Sequence, residues 1–233
     1  MSAPQFLVPV LPDGDVFVLD GPEGHHAATV QRLRVGERLV LCDGSGGTAA
    51  ATIVGTGKGS LELAVGERAY EPAPDPRIVV VQGVAKGDRG ELAVQAMTEV
   101  GVDAIVPWAA ARSVARWTSD KPRQRWIDTA REAAKQSRRA WIPPVLDLVS
   151  TKDITGRLYV LHEAAVDRLS TVELPATGDI VLVVGPEGGI APDELSTLAE
   201  AGASTVQLGP AVLRTSTAGP AAVAVLSARL GRW

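Results

Sequence analysis

Residues 179–198 read DIVLVVGPEGGIAPDELSTL, and this stretch decides the fold. Ile180 to Val184 are five apolar residues in succession, mostly β-branched, which reads as a strand buried on both faces. The run enters Gly185, Pro186, Glu187, Gly188 and Gly189, and a helix opens near Pro192 with Asp193 and Glu194 in its first turn. The same texture extends outward in both directions. RIVVVQGV (77–84), DAIVP (103–107), RLYVL (157–161) and STVQL (204–208) are further strands, with helices following the strand at 180–184 and the one at 204–208. Between the first two strands, Asp88 with Glu91 predicts a capping box, and Leu92, Ala96 and Val100 a helical stripe ended by Gly101. Asp120 and Pro122 open another helix, on which Trp126, Ala130, Ala133 or Ala134, and Ser137 share a face, stopped by Pro143 and Pro144. Strands spaced by helices predict an α/β fold with a parallel sheet and a ligand at its carboxyl ends.

The first 70 residues differ. Apolar alternation broken by Asp-Gly, Gly-Gly and Gly-Lys-Gly turns predicts short strands in a small barrel, with one short helix around His25 to Arg32. GTGKGS at 55–60 fails the phosphate-loop spacing and reads as a hairpin turn. YEPAPDPR (70–77) carries three prolines in eight residues, the composition of a linker. The expected organisation is therefore 1–70 as a β-barrel domain, 71–77 as linker and 78–233 as the α/β domain.

Composition excludes several classes. A hydrophobic content of 45% over 233 residues fills a real core. No apolar run approaches a membrane span, and the N-terminal stretch lacks the pattern of a signal peptide, so the expectation is a cytoplasmic protein with no membrane partner. One cysteine, Cys42, and three histidines, His25, His26 and His162, argue against a disulfide framework and a metal centre. The net charge is -4, yet residues 112–139 hold nine basic side chains against three acidic ones. Such a segment is either a phosphate footprint or a solvated helix face.

Two runs carry candidate chemistry. The glycine turn at 185–189 lets a ligand approach the main chain closely and lets backbone N–H groups converge on it. It matches neither the dinucleotide fingerprint nor the phosphate-binding loop. The second run is LGPAVLRTSTAGPAAVAVLSARL (208–230), in which a strand enters a Gly-Pro turn, presents Arg214 and then Thr215, Ser216 and Thr217, and becomes a helix. Arg214 reads as the fixed cation of a pocket whose other wall is the glycine turn, with the three hydroxyls as hydrogen-bonding partners. The alternative is a surface arginine followed by a helix cap.

Together, LVVGPEGGIAPDEL and LGPAVLRTSTAG resemble the C-terminal signature of the bacterial 16S ribosomal RNA uridine-N3 methyltransferases, of the SPOUT class. HHAATVQRLRVGERLVLCDGSG is similar to that family's PUA-like RNA-binding domain, KGDRGELAVQAMTEVGVDAIVPWAAARSVAR to the start of its methyltransferase domain, and KQSRRAWIPPV to a further family element. The resemblance implies a PUA-like β-barrel followed by a SPOUT domain with a deep trefoil knot, a homodimer, and S-adenosyl-L-methionine as cofactor. Carried over by position, the cofactor contacts are Leu161, His162 and Glu163; Gly185, Pro186, Glu187, Gly188, Gly189 and Ile190; and Leu208, Gly209, Val212 and Leu213, with Ile190, Val212 and Leu213 beside the adenine. Two positions depart from the family pattern: Ser216 and Lys135 stand where glutamates are common.

The implied reaction is methylation of N3 of a uridine in 16S ribosomal RNA, within the small subunit or its precursor. Arg214 stabilises the negative charge spread over the uracil imide, and Ser216 and Thr217 orient the base. Glu187 is either a proton acceptor, a cofactor contact or a brace of the turn. N3 lies on the pairing edge, so the uridine is unpaired or flipped out. Arg32, Arg34, Arg112, Arg116, Arg123, Arg125, Arg138 and Arg139 are the expected RNA contacts. Trp117 is a stacking candidate, and Trp126 reads as core. The competing readings are a non-catalytic RNA-binding or ribosome-assembly module, and a methyltransferase for another RNA such as transfer RNA.

Overall fold

The computed structural model describes residues 3–233. They divide into two compact units. The first runs to Ala73 and takes in Ala134–Ile142; the second comprises Pro74–Ala133 and Pro143–Trp233.

The first unit contains β1 (Gln5–Leu7), β2 (Val16–Leu19), α1 (Gly21–His25), β3 (Arg38–Cys42), β4 (Gly47–Gly57) and β5 (Ser60–Tyr70). Their sheet has the order β1-β3-β4-β5-β2. α1 continues into a turn of π-helix, His26–Val30, where the sequence predicted one short helix. Lys58 and Gly59 form the turn of the β4–β5 hairpin, Gly59 with φ +75°. Alternate strand residues, among them Leu39, Leu41, Ile53, Leu61 and Leu63, point inward onto Phe6 and form a single core. The segment 134–142 joins this unit through main-chain bonds: Gly46 N–H donates to the Ala140 carbonyl (3.0 Å) and Ile142 N–H to that of Gly44 (3.0 Å). Here Lys135 is a buried cation whose ammonium lies 3.0 Å from the Glu23 carboxylate. This lysine is thus matched by a half-buried acid.

The second unit contains β6 (Arg77–Gly83), α2 (Arg89–Glu99), β7 (Ala104–Trp108), most of α3 (Lys121–Ser137), β8 (Arg157–Leu161), β9 (Asp179–Val184), α4 (Pro192–Glu200), β10 (Ser204–Val206) and α5 (Thr215–Arg229). All five strands are parallel, in the order β10-β8-β9-β6-β7. The period-two geometry of a strand sends successive side chains to opposite faces. Ile78, Val80, Ile180 and Leu182 therefore pack with residues of α2, α3 and α5, while Val79, Val81, Val181 and Val183 pack with Leu198 of α4 and Ile154. Both faces are covered, which is why these strands read as continuous apolar runs.

Local details depart from expectation. Asp88 is the residue before α2 but makes no side-chain cap bond. Leu92 is half exposed; the buried face of α2 is Ala93, Val94, Met97 and Thr98. The face that wins is the one meeting α5 and the sheet, where Gly90 and Gly219 permit close approach: a Cβ on Gly219 would lie 2.7 Å from the Met97 sulfur. On α3, Trp126, Ala130, Ala133 and Ala134 are buried as the periodicity requires.

Candidate functional site

In the second unit, a cavity of about 650 Å³ opens at the carboxyl ends of β8, β9 and β10. Three loops line it: Leu161 to Glu163 after β8, Gly185 to Ile190 after β9, and Gln207 to Arg214 after β10, with Arg89 and Arg112 at its wall. All the residues expected to contact the cofactor border this one space, together with Arg214.

The glycine turn explains its composition. Gly189 N–H donates to the Pro186 carbonyl (2.9 Å), and Gly189 has φ +73°, a conformation L side chains rarely adopt. A Cβ on Gly188 would lie 2.9 Å from the Arg112 carbonyl oxygen. The far end of the turn is pinned by Glu194 of α4, a buried carboxylate that accepts from Ala191 N–H (3.1 Å), Ala111 N–H (2.8 Å) and the Thr151 hydroxyl (2.9 Å). Three separate loops thus converge on one side chain.

The other walls are held as firmly. His162 N–H donates to the Val206 carbonyl, and its Nδ1 accepts from Ala164 N–H at 3.1 Å. Ile190 borders the cavity from a nearly buried position within the core layer of Leu198 and Val183. Val212 and Leu213 are exposed, so apolar surface faces the ligand space chiefly from their loop.

Glu187 is a brace. Its carboxylate accepts from Lys86 N–H (3.1 Å) and from Arg89 Nη1 (3.1 Å). Burial pushes this carboxyl upward, but its own backbone N–H, that of Lys86 and the Arg89 guanidinium together outweigh burial and hold it below the ordinary carboxylate range. An ionised carboxylate whose Oε1 accepts both of these bonds is a poor proton acceptor. A group whose folded-state affinity for protons is depressed stabilises the fold above its ordinary range and loses that contribution on acidification. The stability advantage of the native chain over Glu187→Gln should thus be full at neutral pH and vanish as pH falls through and below that range, in melting curves recorded against pH.

The hydroxyl residues that follow Arg214 have different surroundings. Ser216 and Thr217 stand on the first turn of α5 outside the cavity wall, and the Thr217 hydroxyl bonds the Arg214 carbonyl (3.1 Å). Thr215 does border the cavity, yet its hydroxyl is consumed internally, accepting from Gln82 Nε2 (2.9 Å) and donating to the Gly185 carbonyl (2.8 Å). Arg214 remains exposed at the start of α5, its guanidinium without an ion-pair partner among the described residues.

The basic residues have diverse fates. Arg112 borders the cavity and bonds the Gly188 carbonyl at 3.4 Å; Arg116 is exposed. Arg125 lies 3.3 Å from Glu91 with its side chain largely in solvent. Arg123 instead donates to the Leu146 and Val145 carbonyls (2.9 and 2.8 Å), tying α3 to the segment that follows it. Trp117 stacks edge-on against buried Trp126, ring centroids 4.9 Å apart. In the first unit, Arg32 (φ +55°) and Arg34 line a shallow hollow with Thr56 and Gly57. Arg138 (φ +58°) follows the end of α3, and the Arg139 carbonyl accepts from Gln5.

Sequence reasoning missed Arg89, Glu194 and Gln82. Arg89 and Glu194 sit within helix-start patterns, which explained them too readily; Gln82 carried a signal, a lone amide in an apolar strand.

Residues 71–227 match the family described as an RNA methyltransferase domain, and residues 19–65 match an RNA methyltransferase PUA domain. The ribosomal RNA small subunit methyltransferase E of Mycobacterium bovis is 47% identical over all of this chain and 94% of its own length. This chain belongs to that methyltransferase family. The Bacillus subtilis enzyme of the same name is 32% identical over 92% of this chain and 91% of its own. Among solved structures, the Neisseria gonorrhoeae family member bound to S-adenosyl methionine superposes with a TM-score of 0.86 at 28% identity, covering 98% of both chains. A Legionella pneumophila methyltransferase solved with the same cofactor gives 0.86 at 26% identity, again over 98% of each.

Proposed function

We propose that this chain uses S-adenosylmethionine to methylate N3 of a uridine in 16S ribosomal RNA. The observation that carries the reading is the single cavity formed by the glycine turn and the 207–214 loop, with an unpaired arginine at its edge. The donor set fits the cofactor: close main-chain approach at Gly188 and Gly189, exposed apolar Val212 and Leu213, and Glu163, a carboxylate without an ion-pair partner among the described residues, to face a cationic ligand. When bound, S-adenosylmethionine supplies an electrophilic methyl group. The protein's part is to hold the base in line with it and to stabilise the imide anion left when the N3 proton passes to solvent water. Arg214 serves that anion as a fixed cation, and the Glu187–Arg89 pair keeps the turn in shape rather than moving a proton. Supporting the wider reading by family likeness, the second unit is a SPOUT domain with a deep trefoil knot, the enzyme is a homodimer, and it acts in the cytoplasm on the small subunit or its precursor. Among the described residues, no helix is long and apolar enough to cross a membrane.

The test is to incubate the purified protein with labelled S-adenosylmethionine and either small subunits, naked 16S RNA or transfer RNA, and to map the product by mass spectrometry. N3-methyluridine in 16S RNA is expected; label confined to transfer RNA, or none at all, overturns the reading.

Charge on the exposed arginines should act through phosphates. Arg116→Ala and Arg125→Ala are each expected to weaken RNA binding at every sequence tested and to reduce the slope of log affinity against log salt by about one. Arg123→Ala should chiefly lower the melting temperature, because its guanidinium is committed to main-chain carbonyls. Titrations at two salt concentrations, with melting curves alongside, separate the two behaviours.

A further inference from the structure

We propose that Gln82 is a positioning residue that, through Thr215, sets the spacing between the two walls of the cavity. The inference rests on the reading of that cavity as the methyl-donor site. Gln82 is the penultimate residue of β6, beside β9, and is wholly buried. Its Nε2 donates to the Gly83 carbonyl (3.2 Å) and to the Thr215 hydroxyl (2.9 Å), which in turn donates to the Gly185 carbonyl (2.8 Å). One short polar chain therefore joins the first residue of the glycine turn to the residue that follows Arg214. The neighbouring backbone is packed for this approach: a Cβ on Gly83 would lie 2.7 Å from Pro186 N, and one on Gly219 would lie 3.4 Å from Gln82 Oε1.

The amide oxygen reveals what the chain is for. Gln82 Oε1 is buried with no hydrogen-bond partner among the described residues. A partly satisfied buried amide costs stability that an apolar side chain of like volume would not. Apolar Met97 lies beside it, its sulfur 2.7 Å from the same Gly219 Cβ position, and packing against that side chain alone favours leucine or methionine here. The polar contact is retained at the expense of the core, which is expected of a group that fixes geometry rather than one that adds stability.

Gln82→Leu, Thr215→Val, the double variant and Thr215→Ser separate the roles. Gln82→Leu should melt at or above the native temperature, yet bind S-adenosylmethionine about tenfold more weakly and turn over at least tenfold more slowly. Thr215→Val should reproduce this loss, the double variant should add nothing further, and Thr215→Ser, which keeps the hydroxyl, should restore native binding. Hydrogen exchange measured without ligand should quicken in peptides covering 185–190 and 211–217 of Gln82→Leu and stay unchanged elsewhere. Native binding and exchange in Gln82→Leu, losses that merely follow a lowered melting temperature, or additive single effects would overturn the proposal. If the native chain itself fails to bind S-adenosylmethionine, the cofactor reading falls, and the ligand-free exchange result still decides whether Gln82 sets the walls.

Discussion

Arg214→Ala is expected to lower the methyl-transfer rate by about two to three orders of magnitude, the usual effect of removing one preorganised group aimed at developing charge. Cofactor affinity should change little. Arg214 is exposed, precedes α5 and has no ion-pair partner among the described residues, so its loss leaves no buried group unsatisfied. Its cation is available to the substrate because no carboxylate among the described residues neutralises it, in contrast to Arg89, which Glu187 engages at 3.1 Å. Arg214→Lys should recover only part of the rate, since an ammonium is a point charge that cannot present two parallel donors to a delocalised imide. Single-turnover rates at saturating cofactor, with calorimetric binding of cofactor and of RNA, make the test; an unchanged rate with normal binding removes Arg214 from the chemistry.

Glu194→Ala should have the largest effect on stability, about 3 kcal/mol, because it strips a buried carboxylate from two backbone donors and a hydroxyl. For a chain of this size that corresponds to a fall of roughly 6 to 12 °C in melting temperature. Since Ala191 follows Ile190 directly, cofactor affinity should fall as well. Glu194→Gln keeps one carbonyl oxygen but turns an amino group toward a former donor, so an intermediate loss is expected. Thermal melts with and without S-adenosylmethionine provide the measurement. A melting temperature within a degree of native for the alanine variant would show that the three loops are held by other means.

The two effects differ because the residues lie on different links of the argument. Arg214 was legible as a cation presented between a turn and a helix, a pattern local to a dozen residues. Glu194 was legible only as an acidic residue in a helix's first turn, which is true of it and misses its use. Its other partners, Ala111 and Thr151, come from distant parts of the chain. The same limit applies to Thr215, whose hydroxyl the sequence offers to a ligand and the fold spends on Gln82 and Gly185.

Helix faces show how weak periodicity is resolved. On α3 the stripe of Trp126, Ala130, Ala133 and Ala134 is unambiguous because charged residues surround it, and those residues are buried. On α2 the apolar residues do not define one stripe: Leu92 and Ala93 are adjacent, and only one can face the core. The glycines at 90 and 219 decide for the Ala93–Met97 face by allowing α5 and Trp126 to approach. The segment 134–142, which folds with the first unit although it follows a long stretch of the second, joins it through main-chain bonds and through side chains such as Lys135, whose partner Glu23 comes from a distant part of the chain.

By itself, the sequence determined the five parallel strands, the glycine turn at 185–189 at their carboxyl edge and the pairing of that turn with the run after Leu208 in one cavity. Each of these is encoded locally, by β-branched runs and by glycines, of which Gly189 has φ +73° and Gly188 leaves no room for a Cβ. Only the tertiary structure decided which polar atoms remain free for a ligand. Hydrogen-bonding capacity is finite, and whether Glu187, Thr215 or Arg123 still has any to offer depends on partners brought from elsewhere in the chain.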